Sequence, residues 1–351
     1  MNIIEPDAFS LAVLLATSEL AEYSDDATFS KAIEIFLEGY HSFVETQFTP
    51  HEAYLNLRWL YCITNGYFND LISDGINQFN CPYQLDYKSG VLGELDDVKI
   101  SQIIQKINKD GFYVFEQKLS LDICERLNYL ALVTLSQPYP SISYDQKNIY
   151  DRRKLVAPIY KFDELDIVNN HDIQSLVVDT SILALAQSYL GCKPIQDSVV
   201  MWWSTNFEKE ANSKAAQLYH FDMDRIKFIK FFIYLSEVTT QNGPHCYVRG
   251  SHQSKPLELL QDRRFLDSEI EQHYSKQDIV EIIGSAGTII AADTRGFHKG
   301  KHLQSGERLV LQIEYANSLF GAPYNQLNIN QSSKKFFELK NKYKDTYCRF
   351  N

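Results

Sequence analysis

The sequence predicts a mainly β fold with helices, in which a helical N-terminal region precedes a strand-rich domain. Apolar residues recur at helical spacing up to about residue 76, and short segments typical of β-strands follow one another from residue 194 onward. Turn residues, not helices, separate these later segments. Consecutive strands without helical crossovers favour an antiparallel sandwich or barrel over a doubly wound parallel sheet.

The N-terminal region contains three amphipathic segments and no catalytic motif. The segments are FSLAVLLATSELAEY (9–23), SKAIEIFLEGYHSFVE (30–45) and HEAYLNLRWLYCITNGYF (51–68). A loop-like stretch with Pro82, Gly90 and Gly93 follows. We therefore divide the chain into a helical region, residues 1–95, and a second domain, residues 96–351. The helical region is expected to cover the second domain or to mediate dimerisation, so a homodimer is one expected assembly.

The second domain is predicted to open with a helix, a turn at Asp110-Gly111 and a strand at Phe112–Phe115. Ser120 is a suitable N-cap for the next helix, and a further helix near 173–190 is expected to end at Gly191. The predicted strands are Ile195–Ser204, Gln217–Phe221, Ile226–Leu235, His245–Val248, Ile279–Ile283, Thr288–Ala292 and Arg308–Tyr315.

A pocket is expected between loops around residues 136–170, 205–216, 245–275 and 318–330. The polar or aromatic residues that are candidates for its lining are Tyr144, Arg152, Arg153, Trp202 and Trp203.

Composition indicates a globular protein and argues against several partners. The 351 residues are 44% apolar and 23% charged, as in ordinary globular chains. The net charge of −11 argues against nucleic acid and anionic membranes, because both attract a basic face. The six cysteines are scattered without a CxxC pair, which is typical of reduced thiols in a cytoplasmic protein. The short apolar run at residues 11–16 predicts neither a signal peptide nor a membrane span.

The tripeptide His220-Phe221-Asp222 is a candidate metal site. Residues i and i+2 of a strand point to the same face, so the imidazole of His220 and the carboxylate of Asp222 can bind one ion. A second histidine would complete the facial set of two histidines and one carboxylate that iron(II) oxygenases use. The tripeptide alone is weak evidence, because a lone histidine is more often structural.

The third ligand and a co-substrate site are expected in the segment AADTRGFHKGKHLQSGERLVLQIEY (291–315). His298 lies in a loop after a predicted strand, and Arg308 opens the neighbouring strand ten residues later. 2-Oxoglutarate chelates iron through its 1-carboxylate and 2-oxo group, which leaves a distal carboxylate for a guanidinium to bind through two hydrogen bonds. The alternative for Arg308 is a surface ion pair.

Three other histidines compete for the role of third ligand. His302 lies four residues beyond His298 in the same loop. We prefer His298 because it is nearer the end of the strand, where a sheet would hold it rigidly. His245 and His252 lie just after the Asn242-Gly243-Pro244 turn and are weaker rivals, expected in loops that line the pocket.

Alternation along Ile226–Leu235 predicts one core face and one pocket face. The odd positions from 229 to 235 are all apolar, whereas the even positions from 228 to 234 mix aromatic residues with Lys230. A lysine among aromatic residues suits a pocket for an anion, so Lys230 and Phe232 are candidates for binding the co-substrate or an acidic substrate. An equal alternative is that Lys230 pairs with a nearby aspartate.

Two segments together resemble the phytanoyl-CoA dioxygenase family of 2-oxoglutarate-dependent oxygenases. They are QLYHFDMDRIKFIKFFIYLSEVTTQNGPHCYVRGSHQ (217–253) and DTRGFHKG…GERLVLQIEYANS (293–318). The segment KINKDGFYVFEQKLSLDICERL (106–127) is also similar to the helix–strand–helix at the start of that family, so the likeness covers about residues 100–320. The chain departs from many members at Arg249, where they have proline, and in its helical first region.

The resemblance implies a double-stranded β-helix, a jelly-roll barrel with iron at its mouth. It implies that His220, Asp222 and His298 bind Fe²⁺ and that Arg308 binds 2-oxoglutarate. The implied activity is that of an oxidoreductase, a dioxygenase that uses O₂ to hydroxylate a small organic substrate and releases succinate and CO₂. The presence of Asp222 argues against a halogenase, because related halogenases lack this carboxylate.

Two other functions stay open from the sequence. One is a cupin-type metal enzyme that uses no 2-oxo acid, and the other is a non-catalytic binding protein that retains the barrel. Replacement of Arg308 tests the first function, since a metal enzyme that binds no 2-oxo acid does not need this arginine. The intact set of candidate ligands argues against the second.

Overall fold

The computed structural model describes residue 20, residues 27–140 and residues 147–351. The helix predicted at 9–23 falls, apart from Leu20, outside the described residues. The helices are α1 Ala27–Thr46, α2 His51–Ile63, α3 Tyr67–Phe79, α4 Asp97–Asp110, α5 Leu121–Val133, α6 Glu164–Val168, α7 His171–Val177, α8 Thr180–Leu190, α9 Asp267–Glu271 and α10 Lys334–Lys342. The helical character predicted for residues 30–45 and 51–68 is therefore confirmed.

The strands form one large sheet, one small sheet and a hairpin. They are β1 Ser89–Gly90, β2 Gly93–Glu94, β3 Phe112–Val114, β4 Leu135–Tyr139, β5 Asn148–Ile149, β6 Ile159–Phe162, β7 Ile195–Thr205, β8 Phe228–Tyr234, β9 His245–Val248, β10 Ile279–Ile282, β11 Ile289–Ala292, β12 His298–Gly300 and β13 Glu307–Ala316. The large sheet has eight strands in the order β3-β11-β8-β13-β7-β6-β4-β5, and the small sheet has the order β10-β9-β12.

All strand pairs within these sheets are antiparallel. This confirms the prediction of an antiparallel fold and rules out a doubly wound parallel sheet. The architecture is thus a mixed fold in which N-terminal helices accompany an eight-stranded antiparallel sheet.

The large sheet has two chemically different faces. Along β8 the odd-numbered side chains from 229 to 233 lie in the main hydrophobic core. Lys230, Phe232 and Tyr234 instead line a pocket together with residues of the small sheet. The alternation predicted from the sequence is confirmed, because successive side chains of a strand point to opposite faces.

The N-terminal helices share the main core with the large sheet. Phe320 packs edge-on against Phe36 and Phe43 of α1, with ring centroids 5.3 and 5.7 Å apart. Phe36 also packs edge-on against Phe68 of α3 at 5.1 Å. Aromatic pairs of this geometry contribute beyond the area that they bury. The helices therefore stabilise the same core that supports the sheet.

The helix predicted near 173–190 is in fact two helices, α7 and α8. Asp179 separates them, because its carboxylate accepts hydrogen bonds from the backbone N–H groups of Ser181 at 3.0 Å and Ile182 at 3.3 Å. These are the bonds of an N-cap, so a new helix begins here. Gly191 ends α8 with a φ of 77°, as predicted.

Three predictions about strands and loops are wrong. Gln217–Phe221 is not a regular strand and has only isolated bridges at Tyr219 and His220. His298 does not lie in a loop but begins β12. The segment expected as a pocket loop from residue 136 contains β4, β5 and β6. These elements are short and depend on partners far away in the sequence, so local alternation did not reveal them.

The helices and the cysteines bear on the environment of the protein. No helix among the described residues is both long and apolar enough to cross a bilayer. The six cysteines, all within the described residues, are free thiols.

Asp179→Ala should lower the free energy of unfolding by about 2 kcal/mol, as expected for a lost N-cap and a stranded, partly buried donor. The stranded donor is the N–H of Val91, which donates to Asp179 at 3.0 Å. Urea unfolding followed by circular dichroism would measure the change. Asp166→Ala, at an exposed position of α6, is the matched control and should change stability by less than about 0.5 kcal/mol. Equal effects of the two substitutions would contradict the capping role.

Candidate metal centre

A pocket of about 230 Å³ lies between the large and small sheets. Strands β6, β7, β8 and β13 of the large sheet line one side, and His245, His298 and Gly300 of the small sheet line the other. The polar side chains that line it include His220, Asp222, Lys230 and Arg308. The structure thus brings together all the residues that the sequence singled out for metal and co-substrate.

His220 and His298 are held side by side by their own backbones. The N–H of His220 donates to the carbonyl of His298 at 3.0 Å, and the N–H of His298 donates to the carbonyl of His220 at 2.9 Å. This is the hydrogen-bonded pair of an antiparallel ladder, in which directly opposite side chains share a face. The ring centroids are consequently only 4.3 Å apart.

The two imidazoles are oriented in the same way. Nδ1 of His220 lies 3.0 Å from the carbonyl oxygen of Leu218, and Nδ1 of His298 lies 3.0 Å from that of Gly296. A carbonyl can only accept, so each Nδ1 carries the proton and donates. Each Nε2 is therefore left with a lone pair, the arrangement that metal-binding histidines show.

Asp222 completes the cluster. Its N–H donates to the carbonyl of Thr294 at 2.8 Å, which holds the segment in place. Its carboxylate oxygens lie 3.7 Å from Nε2 of His220 and 3.5 Å from Nε2 of His298. The three candidate ligand atoms all lie within 4.8 Å of one another. An ion bound at about 2 Å from each ligand needs spacings of this order.

The protonation states at the cluster are those that a metal requires. Burial lowers the pKa of His220 to about 4, and burial together with His220 lowers the pKa of His298 to about 3. Burial alone would raise the pKa of Asp222, but Lys230 and the two imidazoles outweigh it and hold this pKa well below its usual range. Two neutral imidazoles and one carboxylate are thus present at neutral pH.

Lys230 is engaged by carboxylates. Its Nζ donates to Oδ2 of Asp222 at 2.8 Å and lies 3.6 Å from Glu314 and 3.8 Å from Asp224. Of the two alternatives from the sequence, this contact corresponds to the pairing of Lys230 with an aspartate. Phe232, two residues along the same strand, lines the pocket. Burial raises the pKa of Glu314 to about 8.

Arg308 is buried in the pocket wall and is not a surface residue. Its Nη1 donates to the carbonyl of Gly243, and its Nη2 donates to Oγ of Ser204 at 3.2 Å. Its Nε has no hydrogen-bond partner among the described residues. Burial lowers the pKa of Arg308, with no carboxylate contributing. A buried cation of this kind is well suited to an anionic ligand.

The chain matches the family model described as phytanoyl-CoA dioxygenase (PhyH) over residues 107–308, more than half of its length. The chain belongs to the phytanoyl-CoA dioxygenase family. It is accordingly a 2-oxoglutarate-dependent non-haem iron oxygenase, for which Fe²⁺ and 2-oxoglutarate are the typical cofactor and co-substrate. A small-molecule substrate is typical of the family, but the family name does not identify it. No curated protein matches the sequence.

Three solved structures that are similar to this oxygenase are SnoN, HygX and EctD. The α-ketoglutarate-dependent epimerase SnoN from nogalamycin biosynthesis has 16% identity and a TM-score of 0.46, over 63% of this chain and 84% of its own. HygX from Streptomyces hygroscopicus, with nickel and 2-oxoglutarate bound, has 13% identity and a TM-score of 0.46. The match covers 67% of this chain and 92% of HygX. EctD from S. alaskensis, with bound Fe, has 16% identity and a TM-score of 0.45. The match covers 69% of this chain and 83% of EctD. At this similarity none of them indicates a substrate for this chain.

The rival histidines of the oxygenase lie elsewhere or play another part. His302 has its Nε2 2.9 Å from the carbonyl oxygen of Glu208, and His252 has its Nε2 3.0 Å from that of Asn108. Neither belongs to the candidate metal cluster. His245 does line the pocket, but from strand β9 and not from a loop.

Several residues of the pocket were not predicted from the sequence or were only suggested by it. Trp202 lines the pocket, whereas Trp203 is buried in the main core, and Tyr144 lies outside the described residues. Gln312 and Lys161 were missed. Alternation would have found Gln312, which is four residues beyond Arg308 on the same face of β13. Lys161 lies on β6, a strand that the sequence did not predict.

A buried lysine lies behind the candidate ligands. Nζ of Lys255 donates to Oη of Tyr61 at 2.9 Å and lies 4.7 and 5.8 Å from the ring centroids of Phe221 and Phe297. These two rings are the sequence neighbours of His220 and His298. Burial lowers the pKa of Lys255 to about 7, although the aromatic faces favour its charged form.

Between pH 7 and 9 the stability of the oxygenase should rise with pH because of Lys255. Its folded pKa of about 7 is below the ordinary value of 10.5, so the unfolded chain binds more protons in this interval. The slope from this one group is at most about 1.4 kcal/mol per pH unit. Lys255→Met should flatten the rise in urea unfolding at pH 7, 8 and 9. Lys276→Met, at an exposed position, is the control. Identical slopes for Lys255→Met and wild type would refute the assignment.

Proposed function

We propose that this oxygenase hydroxylates a small organic substrate at the expense of 2-oxoglutarate and O₂, with release of succinate and CO₂. His220, Asp222 and His298 hold Fe²⁺, and Arg308 binds the distal carboxylate of 2-oxoglutarate. One observation carries the proposal. A single pocket of about 230 Å³ contains both the three-residue cluster and a buried arginine whose Nε has no partner among the described residues.

The donor set fits this chemistry. Two imidazoles and one carboxylate leave coordination positions open for a 2-oxo acid and O₂. When bound, iron and 2-oxoglutarate supply the oxidation, in which one oxygen atom of O₂ enters succinate and the other enters the product. The chain itself supplies orientation, through the backbone bonds of His220 and His298, and a buried cation, through Arg308.

Lys230 and Phe232 are assigned supporting parts at the same site. Lys230 donates to Asp222, so it orients this ligand and helps to keep it ionised. It thus influences co-substrate binding through Asp222 and not by a separate contact. Phe232 offers an apolar wall of the pocket, suited to the methylene groups between the two ends of 2-oxoglutarate.

We also propose the finer architecture. The large and small sheets correspond to the two layers of a double-stranded β-helix, with residues 1–95 covering the oxygenase domain of residues 96–351. The shared packing of Phe320 with α1 supports such a cover. A cytoplasmic location agrees with the free thiols, and the helical region is the surface that we propose for a homodimer.

His298→Ala should weaken Fe²⁺ binding about 100-fold or more, because one of three ligands is lost. His302→Ala is the matched control and should bind Fe²⁺ as the wild type does, since its Nε2 faces the carbonyl of Glu208. Anaerobic equilibrium dialysis would measure both. The opposite pattern, with loss only in His302→Ala, would make His302 the third ligand.

Arg308→Gln should raise the KM for 2-oxoglutarate about 100-fold, because two charge-assisted hydrogen bonds are lost. The assay is the formation of succinate by protein supplied with Fe²⁺, ascorbate and 2-oxoglutarate. Arg152→Gln is the control, because Arg152 is an exposed arginine that pairs with Glu307, the residue next to Arg308.

Two outcomes would reject the proposal. Metal binding without any effect of 2-oxoglutarate would indicate a cupin-type enzyme that uses no 2-oxo acid. Absence of both metal binding and succinate formation would indicate a non-catalytic binding protein.

A further inference from the structure

His245 is a buried pocket residue to which the proposed function assigns no role. It is 7% exposed and lines the pocket, yet it does not belong to the three-residue cluster. Its Nε2 has no hydrogen-bond partner among the described residues. A buried polar nitrogen without a partner costs about 1–3 kcal/mol, so a ligand that satisfies it is expected.

The register of the small sheet places His245 beside the metal centre. In the pairing of β9 with β12, His245 lies opposite Gly300, and Tyr247 lies opposite His298. Residues directly opposite each other, and those two positions along a strand, share one face of a sheet. His245 is therefore the diagonal neighbour of His298, and the two rings stack with centroids 5.5 Å apart.

The absence of a side chain at Gly300 leaves room for Arg308 on the same face of the small sheet. A Cβ at Gly300 would lie 3.1 Å from Nη2 of Arg308, so the guanidinium occupies the space that a side chain would fill. Because Gly300 lies opposite His245, the guanidinium and the imidazole are neighbours. His245 thus lies next to the candidate metal ligand His298 on one side and next to Arg308 on the other.

The neighbouring donors in this part of the pocket are already engaged in part. Arg308 uses one N–H of Nη1 for the carbonyl of Gly243 and one N–H of Nη2 for Ser204. The hydroxyl of Tyr234 donates to the carbonyl of Ile282 at 2.8 Å and accepts from the N–H of His245 at 3.1 Å. A carboxylate has about four acceptor positions, and a guanidinium fork meets two of them, so a second donor can bind the same carboxylate.

We propose that His245 is a second anchor for the distal carboxylate of 2-oxoglutarate, to which its Nε2–H donates a hydrogen bond beside the guanidinium of Arg308. This rests on the proposed function, because it requires that 2-oxoglutarate extends from the metal centre to Arg308. It assigns His245 a part in selecting a five-carbon dicarboxylic 2-oxo acid. Shorter 2-oxo acids that lack the distal carboxylate would gain nothing from it.

The test is equilibrium binding to protein loaded with Mn²⁺, which occupies the site without turnover. Calorimetry compares 2-oxoglutarate with 2-oxobutanoate, which can chelate the metal but has no distal carboxylate. His245→Phe keeps the ring and its packing on Phe232 and His298, but removes the donor. His245→Asn is too short to reach the position of Nε2, and His245→Gln places an amide donor near it.

We expect His245→Phe and His245→Asn to raise the Kd for 2-oxoglutarate about tenfold or more while the Kd for 2-oxobutanoate stays unchanged. His245→Gln should stay within about threefold of the wild type for both acids. Where the phenylalanine variant does not fold, the asparagine variant gives the same comparison, with Mn²⁺ binding as the check on an intact centre.

Two results would overturn the role of His245. One is an unchanged Kd for 2-oxoglutarate in the folded variants, and the other is an equal loss for both acids, which indicates a general packing effect. Failure of the proposed function looks different, because the Mn²⁺-loaded wild type would then not bind 2-oxoglutarate at all.

Discussion

The pair of backbone hydrogen bonds between His220 and His298 is the constraint on which the site depends. These bonds join a segment without regular strand structure to the small sheet, and they set two imidazoles side by side. The close approach of the two rings follows from this pairing, and the register of β9 with β12 then places His245 beside His298. A shift of one residue in the register would turn the ligands to the opposite face.

The second constraint is the amount of charge that the fold buries around the pocket. Lys230 is held between Asp222 and Glu314, whereas Arg308 is buried with no carboxylate partner in the part of the chain that the structure describes. Buried ions cost free energy unless they are paired, so the burial of Arg308 is costly for folding. An arginine kept free of carboxylates can meet a ligand carboxylate with little rearrangement, which is the advantage of a preorganised site.

The N-terminal helices belong to the same physical system. Arg295, three residues before His298, pairs with Asp293 and with Asp70 of α3, both at contacts of 2.7–2.8 Å. The hydrogen bond from Lys255 to Tyr61 of α2 forms a second connection, and Nζ of Lys255 also lies over the rings of Phe221 and Phe297. The helical region therefore contacts both segments that carry the candidate ligands, which gives it a part in holding them and not only in covering the sheet.

The sequence by itself determined the helical and antiparallel character of the chain and named His220, Asp222, His298 and Arg308, because periodicity and residue chemistry are local properties. It could not place His245, whose importance arises from the register that sets it opposite Gly300. It also missed β6, which pairs with the distant β7, and the local N-cap at Asp179, which breaks the predicted helix. Pairing between remote segments is a tertiary property, and it alone decided which histidines meet and which donors remain free.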